Sequence, residues 1–123
     1  MIEQTELIVT KWLYYPPPNS IAEQPEKLSS SISFDVMKKR TSTKKGIACR
    51  FTIRFDFENE TILEYVGEDS YVIDLRDVID KNELHRMIRN SYSKFNQNFE
   101  LKKLGTVLRD RSLLPFDETK YDL

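Results

Sequence analysis

The chain has 123 residues, of which 39% are hydrophobic and 32% charged, which fits one ordinary globular domain and excludes a wholly disordered chain. With 19 Lys and Arg against 20 Asp and Glu, the net charge is -1, so the whole molecule has no general attraction to nucleic acid or acidic membrane. The single Cys49 cannot form an internal disulfide, and no apolar run approaches the about 20 residues that span a bilayer. We expect one cytoplasmic domain, residues 1–123, without metal or cofactor.

The first apolar segment, Leu7–Tyr15, is rich in β-branched and aromatic residues and predicts a strand that ends at three prolines. Large side chains occupy nearly every position at its end, although one face of a strand in a single sheet is normally wet. A strand buried on both faces would explain them, and in so small a chain the second cover most easily comes from another subunit or a bound partner. We predict that interface at Trp12, Leu13, Tyr14 and Tyr15.

The Pro-rich segment of residues 16–31 predicts a long crossover, and the alternation of Ile32, Phe34 and Val36 with polar residues predicts strand two. The polar run from residue 38 to 46 predicts a hairpin turn. It is also strongly basic, so it is a candidate for polyanion contact. The basic residues are Lys38, Lys39, Arg40, Lys44 and Lys45.

Strand three, residues 47–57, shows the clearest pattern, because apolar side chains fall on one face and polar ones on the other. We place a turn at residues 58–60, with Asn59 in the left-handed conformation. Phe57 then lies opposite Thr61, which fixes the register of the hairpin.

That register pairs opposite charges on the wet face, with Arg54 opposite Glu64 and Arg50 opposite Glu68. Gly67 is predicted to mark a bulge or bend, after which the fourth strand continues or restarts. All four strands are expected to be antiparallel.

A helix follows, capped by Asp80 or Asn82, with Glu83 placed as in a capping box and Gly105 as the expected C-terminal cap. Its apolar stripe is predicted to pack on the sheet. The stripe consists of Leu84, Met87, Ile88, Ser91, Tyr92, Phe95 and Phe99.

The predicted fold class is α+β: a four-stranded antiparallel sheet with a long crossover after strand one, packed on one long amphipathic helix and a short C-terminal segment. In that last segment, residues 107–123, several apolar side chains offer an anchor, and a short helix ending at Pro115 is one interpretation.

No pattern predicts an enzyme. His85, the only histidine, is expected to be a solvated residue on the helix surface, since no catalytic or metal-binding partner lies near it in sequence. Cys49 falls on the apolar face of strand three, where a thiol is an inert, buried hydrophobe. The many carboxylates between residues 56 and 80 are expected to be solvated strand and turn residues.

The order of these elements resembles that of the SecB-type protein-export chaperones. The run FTIRFDF leading into ILEYVGEDSYVIDL is similar to that family's strand pair, and the tail LLPFDETKYDL is similar to its Leu-Pro-rich C-terminal segment. The resemblance implies a tetramer built as a dimer of dimers, with first strands and long helices at the interfaces. It also implies ATP-independent capture of unfolded chains through apolar grooves and backbone hydrogen bonds.

Two hypotheses of different kinds follow. The leading one is a non-enzymatic, homo-oligomeric (dimeric or tetrameric) protein that binds unfolded or partner polypeptides, as a SecB-like chaperone or as a relative serving one client, such as a toxin–antitoxin pair. The alternative is a small nucleic-acid or regulatory binding module that uses the basic hairpin of residues 38–45.

Overall fold

The computed structural model describes residues 2–4, 6–17, 21 and 23–117. It contains strands, one long helix and two short 3-10 turns, Pro25–Lys27 and Lys103–Gly105. The strands and the helix are β1 (Ile2–Gln4), β2 (Ile8–Tyr14), β3 (Leu28–Arg40), β4 (Lys44–Phe57), β5 (Glu60–Asp74) and α1 (Lys81–Lys102).

All strands belong to one antiparallel sheet in which β5 and β4 are central. Both β1 and β2 pair with β5, at different points along its length, so the two short strands share one position at the edge of the sheet. The sheet therefore has four strand positions, with β3 at the other edge. The chain crosses from the β2 edge to the β3 edge between these strands, which confirms the predicted α+β architecture and its long crossover.

Several strand boundaries differ from the prediction, and β1 was not predicted. β3 begins at Leu28, so residues 28–31, predicted as part of the crossover, pair with β4. The β3–β4 turn is also much shorter than the predicted run of residues 38–46, because only residues 41–43 lie outside the strands. The backbone N–H and the hydroxyl of Thr41 both donate to the carbonyl of Lys44, and the backbone N–H of Lys44 donates to the hydroxyl of Thr41. These hydrogen bonds let the pairing of β3 with β4 continue to the tip of the hairpin.

The β4–β5 turn uses two residues rather than the predicted three. Glu58 and Asn59 both have positive φ, 53° and 67°, as a tight hairpin turn with matching twist requires. Phe57 consequently pairs with Glu60 and not with Thr61.

A one-residue irregularity next to Phe55 then brings the hairpin back into the predicted register. From Phe55 opposite Leu63 onward, the pairs Arg54 with Glu64 and Arg50 with Glu68 are confirmed. The extra residue is Ile62, which is buried and whose carbonyl accepts the backbone N–H of Tyr15.

Helix α1 begins where a capping side chain is available. The Asp80 carboxylate accepts the backbone N–H of Glu83 at 2.7 Å, which satisfies one of the free donors of the first turn. The helix ends at Lys102 and tightens into a 3-10 turn. Gly105 lies at the end of that turn and does not have positive φ, and the C-terminal cap of α1 is Lys103 rather than the predicted Gly105.

The predicted helix stripe forms the core with one face of the sheet. Six of its seven residues are buried and Tyr92 is half-buried. Phe95 stacks on Tyr65 with ring centroids 4.1 Å apart, and Phe99 stacks on Phe55. The opposite face of the sheet has no covering layer within the described chain.

The C-terminal segment packs without forming the short helix that the sequence suggested. Phe116 inserts between helix and sheet, with ring centroids 5.1 Å from Phe34 and Tyr92 and 5.3 Å from Phe51. The Tyr92 hydroxyl donates to the carbonyl of Leu114. This segment closes the core on the β3 side.

Candidate functional site

The interface residues predicted for the first strand lie in and just after β2, and they point to two different faces of the sheet. Trp12 and Tyr14 face the helix, opposite Tyr65 and Leu63 of β5, and both are half-buried. Leu13 lies on the uncovered face of the sheet, and Tyr15 follows the end of β2 with 57% of its surface exposed. The four residues therefore form no single patch, because strand side chains alternate between faces.

The two inward residues hold the end of the helix. Trp12 packs edge-to-face on Tyr65 at 5.4 Å, and the ammonium group of Lys102 lies 5.4 Å from the centre of the indole ring. The hydroxyl of Tyr14 accepts the backbone N–H of Val107 at 3.0 Å. These contacts place the last turn of α1 and the residues after it beside the β2 edge.

That end of the molecule exposes apolar side chains which the sequence analysis did not single out. Leu101 is 73% exposed, and Leu104 and Val107 are also exposed. An open groove of about 310 Å³ lies beside Leu101, lined also by Leu7, Glu6 and polar side chains of α1. Together with Trp12 and Tyr14, these three exposed residues form what we call the β2-edge surface: Trp12, Tyr14, Leu101, Leu104 and Val107.

The signal for this surface was present in the sequence but faint. Leu101 and Leu104 lie outside the apolar stripe of the helix, and isolated exposed leucines are common on ordinary surfaces. Only the contacts of Lys102 with Trp12 and of Val107 with Tyr14 show that this part of the chain lies next to β2.

The basic residues predicted for a turn lie instead in two paired strands. Arg40 is directly opposite Lys45, and Lys38 is opposite Ile47. Lys44 forms an ion pair with Asp74, which lowers the pKa of that carboxyl group, first through the hydrogen bond and then through the charge of the ammonium group. The other four basic residues, Lys38, Lys39, Arg40 and Lys45, line one cavity.

The predicted pairing of charges on the wet face is partly confirmed. Arg50 forms the expected ion pair with Glu68, at 3.5 Å. Arg54 lies opposite Glu64 as predicted, but its side chain turns to Asp56 at 2.9 Å. Glu64 is bound by Lys11 of β2 instead, at 3.0 Å.

The two side chains considered for catalysis have no arrangement that supports it. Cys49 is completely buried, and burial raises the pKa of its thiol to about 11, with the negative charge of Asp69 adding to the increase and a hydrogen bond with Ser91 opposing it. His85 is half-buried rather than solvated as predicted. Its Nε2 atom is buried and has no hydrogen-bond partner among the described residues.

Asp69 is one of the carboxylates that were expected to be solvated, and for this residue that expectation is wrong. Asp69 faces the helix, opposite Cys49, and is completely buried in a layer that is mostly apolar. Ser91 donates a hydrogen bond to it at 2.8 Å, and the ammonium group of Lys94 lies 3.3 Å away. The sequence held a signal for this burial, because side chains alternate between the two faces of a strand. Asp69 is an even number of residues from Tyr65 and Tyr71, so it lies on the same face of β5 as they do.

The described ranges contain neither a helix suited to a membrane nor a cluster suited to a metal ion. No helix there combines the length and the apolar character needed to cross a membrane. No group of three or more His, Cys, Asp or Glu side chains in those ranges is arranged to hold a metal ion.

Comparison with solved structures gives a clear result at the level of the fold. The chain superposes on the Mycobacterium tuberculosis SecB-like chaperone Rv1957, solved in complex with a ChAD peptide from the Rv1956 HigA1 antitoxin, with a TM-score of 0.64. The match covers 95% of this chain and 91% of that one, at 10% sequence identity. The fold is SecB-like.

A second match is a protein of unknown function from Streptococcus agalactiae, with a TM-score of 0.51 and 11% identity over 95% of this chain and 97% of that one. No protein-family model matches the sequence, and no curated protein matches it. The resemblance to SecB-type chaperones predicted from the order of elements is thus confirmed as a diffuse likeness of fold.

Proposed function

We propose that this protein binds unfolded or partner polypeptides without nucleotide, as a SecB-like chaperone or as a specialised relative serving one client. The observation that carries the proposal is the β2-edge surface, which exposes apolar side chains beside the edge of a sheet. The SecB-like fold supports it, since the similar mycobacterial chaperone was solved with a peptide of an antitoxin. Protein export and service to a single toxin–antitoxin client are both compatible with this activity.

The β2-edge surface has the two features that an extended polypeptide needs. Exposed apolar groups at Leu101, Leu104 and Val107 bury area against alternate side chains of a client. Within the described chain, β2 pairs only with β5, so its outer backbone groups face away from the sheet. An added strand can pair with such groups through hydrogen bonds that do not depend on client sequence.

We propose binding rather than catalysis. The thiol of Cys49 is buried and protonated at neutral pH, so it is not available as a nucleophile. Folding also needs no disulfide, which is consistent with the cytoplasm as the proposed site of action.

The test measures light scattering from a chemically unfolded protein diluted into buffer with a stoichiometric amount of this protein and no nucleotide. We expect aggregation to be suppressed. The single tryptophan offers a second readout, because Trp12 lies on the proposed surface and its fluorescence should shift when a client binds.

Matched variants localise the activity. Leu101→Asp with Leu104→Asp should abolish suppression, because two charges in the surface oppose burial of apolar client groups. Leu114→Asp places a charge at another exposed leucine, in the C-terminal segment, and should leave suppression unchanged. Aggregation that proceeds unhindered with folded wild-type protein would refute the proposed function.

A further inference from the structure

A cavity of about 390 Å³ opens between the β3–β4 hairpin and the start of α1. It lies at the opposite end of the helix from the β2-edge surface. This size falls in the range of about 300–1,000 Å³ that is usual for binding pockets. Its floor is apolar, formed by the buried side chains of Ile47, Ile73 and Leu84. Val78, 92% exposed, and half-buried Ile79 extend the apolar lining towards solvent.

Four cations line the same cavity. Lys38, Arg40 and Lys45 lie on the helix-facing side of their strands, as their pairing with Ile47 and Ile73 shows. Lys39 reaches the cavity from the other face. Among the described residues, none of these four forms an ion pair.

This arrangement is unfavourable without a ligand. Arg40 and Lys45 are directly opposite each other in the β3–β4 ladder, where like charges repel. The neighbouring Lys44 shows that a cation in this hairpin can find an acidic partner, since it binds Asp74. The cations at the cavity therefore present a positive field that an acidic ligand would neutralise.

We propose that this cavity binds an acidic polypeptide segment that carries an apolar side chain, with the carboxylates on the cations and the apolar group on the floor. The inference rests on the proposed function and names a class of client for it. A nucleic acid fits less well, because the residues that line the cavity include no aromatic side chain on which a base could stack. The position of β3 at the sheet edge lets an extended segment run alongside Lys38 and Arg40.

The spacing of the cations also suits an extended peptide. Lys38 and Arg40 are two residues apart on one strand, so their Cα atoms lie about 6.6 Å apart. Alternate side chains of an adjacent extended segment have the same spacing. A segment with Asp or Glu at alternate positions can therefore meet both cations at once.

The test uses two synthetic peptides, one with Asp and Glu at alternate positions next to a Leu-Phe pair and one with Asn and Gln in place of the acids. Fluorescence anisotropy should show that the acidic peptide binds at least tenfold more tightly, and that its affinity falls as salt is added. Equal binding of the two peptides would overturn the inference.

Variants locate the binding. Arg40→Gln with Lys45→Gln should weaken acidic-peptide binding about tenfold, since two partly exposed charge pairs are lost. This pair of changes removes a repulsion, so we expect the fold to be retained. The control, Lys27→Gln with Arg109→Gln, removes the same charge outside the cavity and should change affinity less than twofold. An equal loss in the control would also contradict the inference.

Two more measurements separate the competing outcomes. Val78→Asp places a negative charge at the cavity mouth and should weaken binding of the acidic peptide. It should not change how well the protein suppresses the aggregation of an uncharged client. A single-stranded oligonucleotide that displaces the acidic peptide at equal charge and concentration would overturn the inference in favour of nucleic acid. Suppression of aggregation without any preference for acidic peptides would refute this inference alone, and peptide binding without suppression would refute the chaperone proposal alone.

Discussion

Three polar side chains fix the position of the helix on the sheet. The hydroxyl of Tyr71 donates to the carbonyl of Met87 at 2.8 Å, and that of Tyr65 lies 3.1 Å from the carbonyl of Phe95. Asp69 binds Ser91 one helical turn away from each of these contacts. Apolar stacking alone would allow the helix to slide along the sheet, whereas hydrogen bonds between buried groups are satisfied at one position only.

Replacing Asp69 with Asn should lower the free energy of unfolding by about 2 kcal/mol. The change preserves size but removes the charge that accepts from Ser91 and Lys94, and it leaves an amide N–H₂ among groups that already donate. Denaturation in guanidinium chloride, followed by circular dichroism, measures the effect. Asp35→Asn is the control, because Asp35 is an exposed carboxylate on the other face of the sheet, and it should change stability by less than about 0.5 kcal/mol. Equal effects of the two changes would contradict a structural role for Asp69.

At the scale of elements, the periodicity of residues 47–57 was enough to predict β4 and its buried face, because a strand covered on one side alternates without exception. The number of residues in the turn that follows β4 could not be determined from the pattern alone. A two-residue turn followed by an extra residue at Ile62 and a three-residue turn without one give the same pairing from Phe55 onward. The predicted register was therefore right for Arg50 and Glu68 and wrong for Phe57.

Gly67 shows why a glycine in a strand is hard to interpret from sequence. The bulge or bend predicted there does not interrupt β5, which continues to Asp74, but an irregularity does lie opposite Gly67, in the partner strand between Val9 and Lys11. What Gly67 provides is space. A Cβ atom at this position would lie 2.6 Å from Cδ1 of Phe95, which is completely buried.

Replacing Gly67 with Ala should therefore lower the free energy of unfolding by about 1–3 kcal/mol, since Phe95 is stacked on Tyr65 and cannot move aside without disturbing the core. Gly46→Ala is the matched control in the neighbouring strand, because its nearest contact would be 3.9 Å away. We expect that variant to be as stable as the wild type or slightly more so. Thermal unfolding of the two variants measures the difference, and a stable Gly67→Ala protein would show that the helix can withdraw from the sheet.

At the scale of the molecule, the two sheet edges carry different chemistry. The β2 edge adjoins exposed leucines and a valine, whereas the hairpin end of β3 adjoins cations that form no ion pair with any described residue, above an apolar floor. The net charge of -1 hides this separation, because the many acids of β5 offset the basic hairpin in the total. Sequence reasoning found the basic residues and the aromatic first strand. It could not find the cavity, which depends on Ile79 and Leu84 reaching the hairpin from the start of the helix.

The uncovered face of the sheet leads to a prediction about assembly. Ile8, 61% exposed, and Leu13 lie on that face of β2, away from the β2-edge surface, and nothing in the described chain covers them. Because two large apolar side chains on one strand face are costly to leave in water, we expect the protein to form a homo-oligomer through this strand, with a mass that is a multiple of 14.6 kDa. Light scattering coupled to size exclusion measures that mass.

Changing Ile8 and Leu13 together to Asp should return the native mass to that of the monomer, since two carboxylates cannot be buried against a second copy without partners. Val78→Asp is the control, because it adds a charge at an exposed apolar residue at the other end of the fold and should leave the mass unchanged. Circular dichroism establishes that both variants are folded. A wild-type protein that elutes as a monomer at micromolar concentration would contradict the prediction, and so would an Ile8 and Leu13 variant that keeps the wild-type mass, because the assembly would then use a different surface.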